Sequence, residues 1–279
     1  MSWKPWVASM GIALLAFASP VLADDQSPPG WQFEIMPYAW LPGTEGTLQV
    51  KQRTANTDLT VGDLLDLLGD GEAFAFGSSF GARYGRYSAF VDAWGGFINI
   101  PGSQTIPRRL GTLQISGTAK IKPVILDVAF GYELGKWSLP HGKRPLSIEA
   151  FVGTRYTYLG TEIEASAAFA GSGGVVELQG RGRQVSKDFN LVAPVGGVRS
   201  EVPLVDELYF NFRGDVGGSR ALTWELIGEL RYWLPWEPGA AQTWVAAGYR
   251  AVSVKQNFGD GNSVDLMFRG PILGLGFAF

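Results

Sequence analysis

Residues 273–279 read Leu-Gly-Leu-Gly-Phe-Ala-Phe, large apolar side chains alternating with glycine or alanine up to a phenylalanine. Successive side chains of a strand point to opposite faces, so Leu273, Leu275, Phe277 and Phe279 make one greasy face and the small residues make the other. A water-soluble sheet gains little from such a strand. The wall of a closed barrel in lipid requires it, with hydrocarbon on one side and a crowded bore on the other.

The same period of two recurs along the chain. Leu208, Phe210, Phe212, Gly214 and Val216 share a face opposite Tyr209, Asn211, Arg213 and Asp215. Leu222, Trp224, Leu226, Gly228, Leu230 and Tyr232 alternate with Thr223, Glu225, Ile227, Glu229 and Arg231. Phe74 to Tyr84, Ala89 to Phe97, Val124 to Glu133, Ile148 to Tyr158, Phe189 to Val198, Trp244 to Val254 and Val264 to Phe279 follow with more noise, after a first strand starting at Trp31. Each segment is about ten residues or longer, enough for a tilted crossing of the apolar layer. Beyond residue 23 no apolar run reaches the ~18 residues of a spanning helix, and lipid leaves helices and closed barrels as the only spanning forms. The 38 glycines and 13% aromatic residues agree, since glycine relieves crowding in a bore and Trp and Tyr collect at the two interfaces. The expected girdles are Trp31, Tyr38 and Trp40; Tyr156 and Tyr158; and Tyr232, Trp233 and Trp236.

At the other end Lys4, the apolar stretch Trp6 to Ala18, the break at Pro20 and Val21-Leu22-Ala23 form a signal peptide with expected cleavage after Ala23. This gives two parts, a removed leader of residues 1–23 and a single barrel domain of residues 24–279. The formal charge of −3 shifts by the one lysine of the leader, to about −4, so no basic field for nucleic acid is expected. The absence of cysteine excludes disulfides and thiolate metal sites.

The fold expected is all-β: a transmembrane antiparallel up-and-down barrel with one short helix in a loop. With both ends on one side the strand number is even. Tight connections at Gly85-Arg86, Pro203 to Asp206 and Pro235 to Ala240, and a longer one from Lys136 to Arg144, give ten strands if Gly46 to Gln52 only extends the first. Twelve follow if Pro42-Gly43-Thr44 is a hairpin turn and Leu110 to Leu134 also splits. Val61, Leu64, Leu65 and Leu68 have helical spacing behind a Thr60/Asp63 capping box, and this helix either enters the barrel mouth or seals its rim. Loops are expected at Thr54 to Gly71, Pro101 to Arg109 and Ala167 to Gly174, with Gly171 to Gly174 flexible.

Little here suggests catalysis. The single histidine, His141, lies in turn-like sequence at the rim of the terminal side, so histidine-based acid–base or nucleophilic chemistry has almost no support; a carboxylate pair could act without histidine, but nothing singles one out. Asp260, Asn262 and Asp265 read as hairpin-turn material rather than a calcium loop. Arg213-Gly214-Asp215 spells an adhesion tripeptide but sits within a strand. No catalytic, metal or cofactor site is assigned. The informative set is charged: Asp92, Asp127, Glu149, Arg155, Arg213, Asp215, Glu225, Glu229, Arg231 and Arg250 are candidate bore-lining residues, with Arg83 and Glu133 beside them. Such charges either pair into a filled core or line a narrow polar pore.

The leader, Met36-Pro37-Tyr38-Ala39-Trp40, Arg213-Gly214-Asp215-Val216-Gly217, Arg269-Gly270-Pro271 and the terminal Phe279 resemble a family of small Gram-negative outer-membrane barrel proteins, porin-like and mostly uncharacterised. The resemblance implies the outer membrane, lipid and lipopolysaccharide as surroundings, and recognition of Phe279 by the barrel-insertion machinery. It carries over no catalytic residue. Three functions remain open: first a narrow passive channel for small polar or ionic solutes, then a non-conducting structural or interaction barrel, and last a lipid-modifying enzyme. A secreted β-sandwich would explain the alternation but not the girdles or Phe279.

Overall fold

Backbone polar groups along each strand find partners on both edges, and this turns the alternation into a cylinder. The computed structural model describes residues 30–50, 53–108, 111–139, 144–171, 174–178, 185–218, 221–236, 238, 241–259 and 262–279. The expected leader, His141 and Asp260 lie outside them. In chain order the elements are β1 (Trp31–Trp40), β2 (Gly43–Val50), β3 (Arg53–Leu59), α1 (Val61–Gly69), β4 (Ala73–Tyr84), β5 (Tyr87–Arg108), β6 (Gly111–Trp137) and β7 (Leu146–Gly171). They continue as β8 (Gly174–Leu178), β9 (Val185–Val205), β10 (Leu208–Gly217), β11 (Ala221–Trp233), β12 (Gln242–Gly259) and β13 (Asn262–Ala278). Ten strands pair in the antiparallel order β1-β4-β5-β6-β7-β9-β10-β11-β12-β13, and β13 returns to β1 to close the wall. At the seam Phe33 and Phe279 exchange both backbone hydrogen bonds, at 3.1 and 2.9 Å.

The extra strands decide the count between ten and twelve. The chain does not turn back at Pro42-Gly43-Thr44: β2 continues along β13 from Gly43↔Arg269 to Gln49↔Ser263, and β3 folds back onto β2. Gly270 permits the step between β1 and β2, because a Cβ there would sit 1.9 Å from the Leu41 carbonyl oxygen. β6 runs unbroken from Gly111 to Trp137. Two of the expected loops are strand instead. Residues 101–108 belong to β5 and residues 167–171 to β7, where Gly171 pairs with Gly174 across the tight β7–β8 connection. Their period-two signal is weak because alanine, serine and glycine carry little hydrophobic contrast. Ladder hydrogen bonds to a long neighbouring strand hold them extended.

The exterior around the middle of the wall is apolar. Phe130, Val152, Leu226, Leu230 and Leu273 all stand exposed. Trp31 packs on Tyr84 and Tyr87 on Tyr132 at the terminal edge, with ring centroids 5.2 and 5.4 Å apart, and Tyr232 and Trp236 are exposed near the same edge. Three residues expected in the girdles are not there. Tyr38 and Trp40 are 2% and 0% exposed and point inward, because they share strand parity with Met36 and not with Trp31, Phe33 and Ile35. Trp233 packs on Trp244, centroids 4.8 Å apart, on the inner side.

Beyond the belt, away from the termini, polarity inverts. The outward residues of β12 and β13 become Ser253, Lys255, Asp265 and Arg269, with Lys255 paired to Asp265 at 2.5 Å and Arg269 to Glu45 at 2.9 Å. The inward residues there become Val252, Val254, Val264, Leu266 and Phe268, all buried. No bulge shifts their parity; only the side-chain chemistry changes sides.

α1 covers part of this far end. Its buried Leu64 packs on Ala73 and Ile98, with Leu67, Leu68 and Ile100 beside them. Ala73 and Ile98 share parity with inward Gly77 and Trp94, so the helix lies against the inner face of β4 and β5. The expected capping box is present. Asp63 N–H donates to Thr60 Oγ1 at 3.2 Å, while Thr60 N–H and Oγ1 donate to Asp63 Oδ2 at 2.9 and 2.7 Å. The Thr60 hydroxyl, and then its backbone N–H, hold the Asp63 carboxyl below its ordinary range. A lowered folded-state pKa means that the ionised cap stabilises α1 above the ordinary carboxylate pKa of about 4 and loses this effect as pH falls through the folded value. Amide exchange in α1, taken relative to each amide's intrinsic rate at the same pH, should therefore quicken between pH 6 and pH 3. Thr60→Ala should quicken it at pH 6 by removing a cap worth about 1 kcal/mol.

Candidate functional site

The charged residues meet inside the wall, and strand order proves it. Ion pairs join strands that are not neighbours in the sheet, so they must cross the bore. Arg155 on β7 grips Asp127 on β6 through Nε and Nη2, at 2.8 and 2.9 Å. It also reaches Asp215 on β10 at 3.1 Å and Glu225 on β11. Arg213 on β10 contacts Asp127 at 2.7 Å. Arg250 on β12 contacts Glu225 at 2.6 Å and, across the bore, Asp92 on β5 at 2.9 Å. Tyr38 on β1 donates to Asp92 at 2.9 Å and accepts from Arg250 at 2.7 Å. These residues form one layer across the barrel, in which Arg155 and Arg250 are 0% exposed. Buried charges are tolerated only when paired and hydrogen-bonded, and here each carboxylate faces an arginine.

Towards the termini lies a second, looser set. Glu149 accepts from Arg83 at 2.7 Å, Arg199 at 2.6 Å and Ser88 at 2.8 Å, and Arg83 also holds Glu133 at 2.9 Å. Glycine makes room for this cluster: a Cβ on Gly131 would lie 2.0 Å from Glu149 Oε1. Arg231 bonds Glu229 at 2.6 Å. All ten candidate residues thus sit within the wall, divided between two groups. Asp92, Asp127, Arg155, Arg213, Asp215, Glu225 and Arg250 make the crossing layer, while Glu149, Glu229 and Arg231 belong to the looser set. Reading by parity missed Tyr38, Arg199 and Arg144. Arg199 sits inward on β9, and Arg144 precedes β7 and lies over the Trp233 ring at 3.7 Å.

On the far side of the ion layer the bore is apolar. Trp40 and Trp94 meet edge to face at 4.8 Å, and Ile125, Leu159, Phe189 and Leu191 from one side of the wall pack with Val252, Val254, Leu266 and Phe268 from the other. On the terminal side, by contrast, a cavity of about 700 Å³ opens, lined among others by Arg83, Glu149, Arg199, Asn211, Arg213 and Trp233. The bore therefore has a filled far half and an open near half.

A solved structure shares this fold. The outer membrane protease OmpT of Escherichia coli superimposes with a TM-score of 0.53 at 9% identity, over 91% of this chain and 98% of that one. The chain has the fold of an outer-membrane β-barrel. Two other membrane barrels align over 91% of the chain with low scores. Ail, the attachment invasion locus protein of Yersinia pestis, has a TM-score of 0.29 at 10% identity over 100% of its length. The translocator domain of the autotransporter NalP from Neisseria meningitidis has 0.27 at 13% over 90% of its length. No family model and no curated protein matches the sequence. At such identities the likeness extends to the barrel wall and not to any site within it. Among the described residues no group of three or more His, Cys, Asp or Glu is placed to hold a metal ion.

Proposed function

We propose that the protein is a non-conducting barrel of the bacterial outer membrane, with its termini in the periplasm and its polar, apolar-filled extension standing in water outside the cell as a contact surface. The observation that carries this reading is the stacking of two closures, a layer of cross-bore ion pairs and an apolar layer in which Ile125, Leu159, Phe189 and Leu191 pack with Val254, Leu266 and Phe268 around a void of about 20 Å³. A hydrated ion would have to part buried arginine–carboxylate pairs and then enter hydrocarbon-like packing, both costly steps. In this reading the belt contacts lipid and lipopolysaccharide, and the insertion machinery reads Phe279. Residues 1–23 are removed on export. The protein catalyses no reaction, since every carboxylate of the crossing layer is engaged by an arginine. A lipid A or phospholipid turnover assay tests that last point.

The second reading is a narrow passive channel for small polar or ionic solutes. What favours it is the near-half cavity, which already reaches Asp92 and Arg213. Planar-bilayer recording separates the two. We expect no single-channel events at either polarity from the intact protein; steady, ion-selective steps would establish the channel instead.

A further inference from the structure

The lining of the near-half cavity is neutral overall but its charges are segregated. Six carboxylates and six arginine or lysine side chains border it. Against β4, β6, β7 and β9, three cations converge on two acids. Arg83 holds Glu133 and Glu149 at 2.9 and 2.7 Å, Lys136 holds Glu133 at 3.1 Å and Arg199 holds Glu149 at 2.6 Å. The Glu133 and Glu149 side chains are 5% and 2% exposed, whereas those of Arg83, Lys136 and Arg199 are 25%, 30% and 23% exposed. The acids are covered, so this wall presents positive charge to the cavity. Around Arg231 the ratio is reversed. Glu229 takes the guanidinium at 2.6 Å, Glu34 stands back at 3.9 Å with 40% of its side chain exposed, and Glu201 acts on the same charge without coming to ion-pair distance. Glu34 and Glu201 are therefore loosely held acids of the lining.

Successive inward residues of a strand are about 7 Å apart, and the two surpluses stand that close. Glu201 follows Arg199 by two residues on β9. Glu34 lies over Gly81, where a Cβ would fall 2.7 Å from Glu34 Cγ, and Arg83 is two residues further along β4. An anion alone would meet the loosely held carboxylates, and a cation alone would meet the guanidiniums. A molecule carrying both charges a few ångströms apart meets each with its opposite and leaves the lining neutral. Met36 and Ile272 offer contact to a short aliphatic body. We propose that the terminal-side cavity binds a small zwitterion, a free amino acid, its carboxylate on Arg83, Lys136 and Arg199 and its ammonium on Glu34 and Glu201. Only the floor of this site, the ion layer, depends on the closed reading.

The test is a ligand-observed NMR titration of the refolded full chain in an uncharged maltoside detergent. The probes are L-2-aminobutyrate, butyrate, which lacks the ammonium, and propylamine, which lacks the carboxylate. Saturable binding of the amino acid is expected, about fivefold tighter than either single-charge match, the scale of one partly exposed ion pair. Glu201→Gln should weaken the amino acid about threefold and leave butyrate no weaker, and Lys136→Gln should weaken it about threefold and leave propylamine no weaker, each on the same scale. Lys255→Gln on the outer surface should change nothing. Glycerophosphoethanolamine, the soluble form of a zwitterionic lipid headgroup, should bind more weakly than the amino acid. Retained heat-modifiable migration certifies each variant's fold, and Glu34→Gln takes the place of one that fails. The proposal is overturned if the amino acid does not saturate, if butyrate or propylamine matches it, or if a folded cavity variant binds as the parent does. Tighter binding of glycerophosphoethanolamine overturns it in favour of a lipid headgroup. Single-channel steps from a barrel that binds the amino acid would sink the closed reading alone, and a silent barrel that ignores it would sink this inference alone.

Discussion

Arg155→Met should lower the stability of the folded barrel by about 3–5 kcal/mol, the scale seen when one partner of a buried ion pair is removed. The guanidinium touches Asp127, Asp215 and Glu225 and also donates to Thr223 at 3.3 Å, all in a layer that water does not reach. Methionine approximates its stem and leaves three carboxylates to share Arg213 and Arg250. Asp92 already draws on Arg250, so four carboxylates would share two arginines and two would be under-compensated in a low-dielectric bore. Urea titration in lipid vesicles, read by heat-modifiable migration, measures the loss. Adding Asp127→Asn and Glu225→Gln to Arg155→Met should restore most of it, because the penalty comes from stranded charge rather than lost volume. A variant within about 0.5 kcal/mol of the parent, the range of ordinary surface changes, would mean that water enters this layer and that the bore is open.

The second large effect concerns the inverted polarity of the far section. Leu226 faces outward near the middle of β11, within the apolar belt, so Leu226→Arg should cost about 2–4 kcal/mol, as for a cation at the bilayer midplane. Lys255 also faces outward, but beyond the belt, and Lys255→Leu should stay within about 0.5 kcal/mol. Val254 is its inward neighbour on β12, with no arginine reaching that layer, so Val254→Asp should cost at least as much as Leu226→Arg. The same vesicle-based unfolding experiment checks all three. Equal tolerance of Leu226→Arg and Lys255→Leu would place the belt elsewhere.

That inversion also explains what the sequence revealed and what it did not. Strand parity was legible wherever contrast was high: Leu208 to Val216 and Leu222 to Tyr232 occupy the faces that their alternation implies. The short helix announced itself through Thr60 and Asp63. Tyr38 and Trp40 misled because an aromatic near a strand end serves equally well as a girdle residue or an inward plug. Only the phase set by Trp31, Phe33 and Ile35 distinguishes the two. Val264, Leu266 and Phe268 look like lipid-facing residues, yet they lie on the opposite face from Leu273 and Leu275. A one-pattern barrel has no place for them. The ion layer was foreshadowed as a set of inward charges, but its partners could not be read, since pairing across the bore depends on strand order and stagger.

The closure between β1 and β13 has a consequence for biogenesis. The edge of residues 31–40 has no second neighbour until residues 262–279 arrive, so nearly the whole polypeptide must be made while its first strand stays bare. Contacts this distant in sequence form late and slowly. A product that stalls before residues 262–279 would therefore present an unsealed sheet edge rather than a smaller barrel.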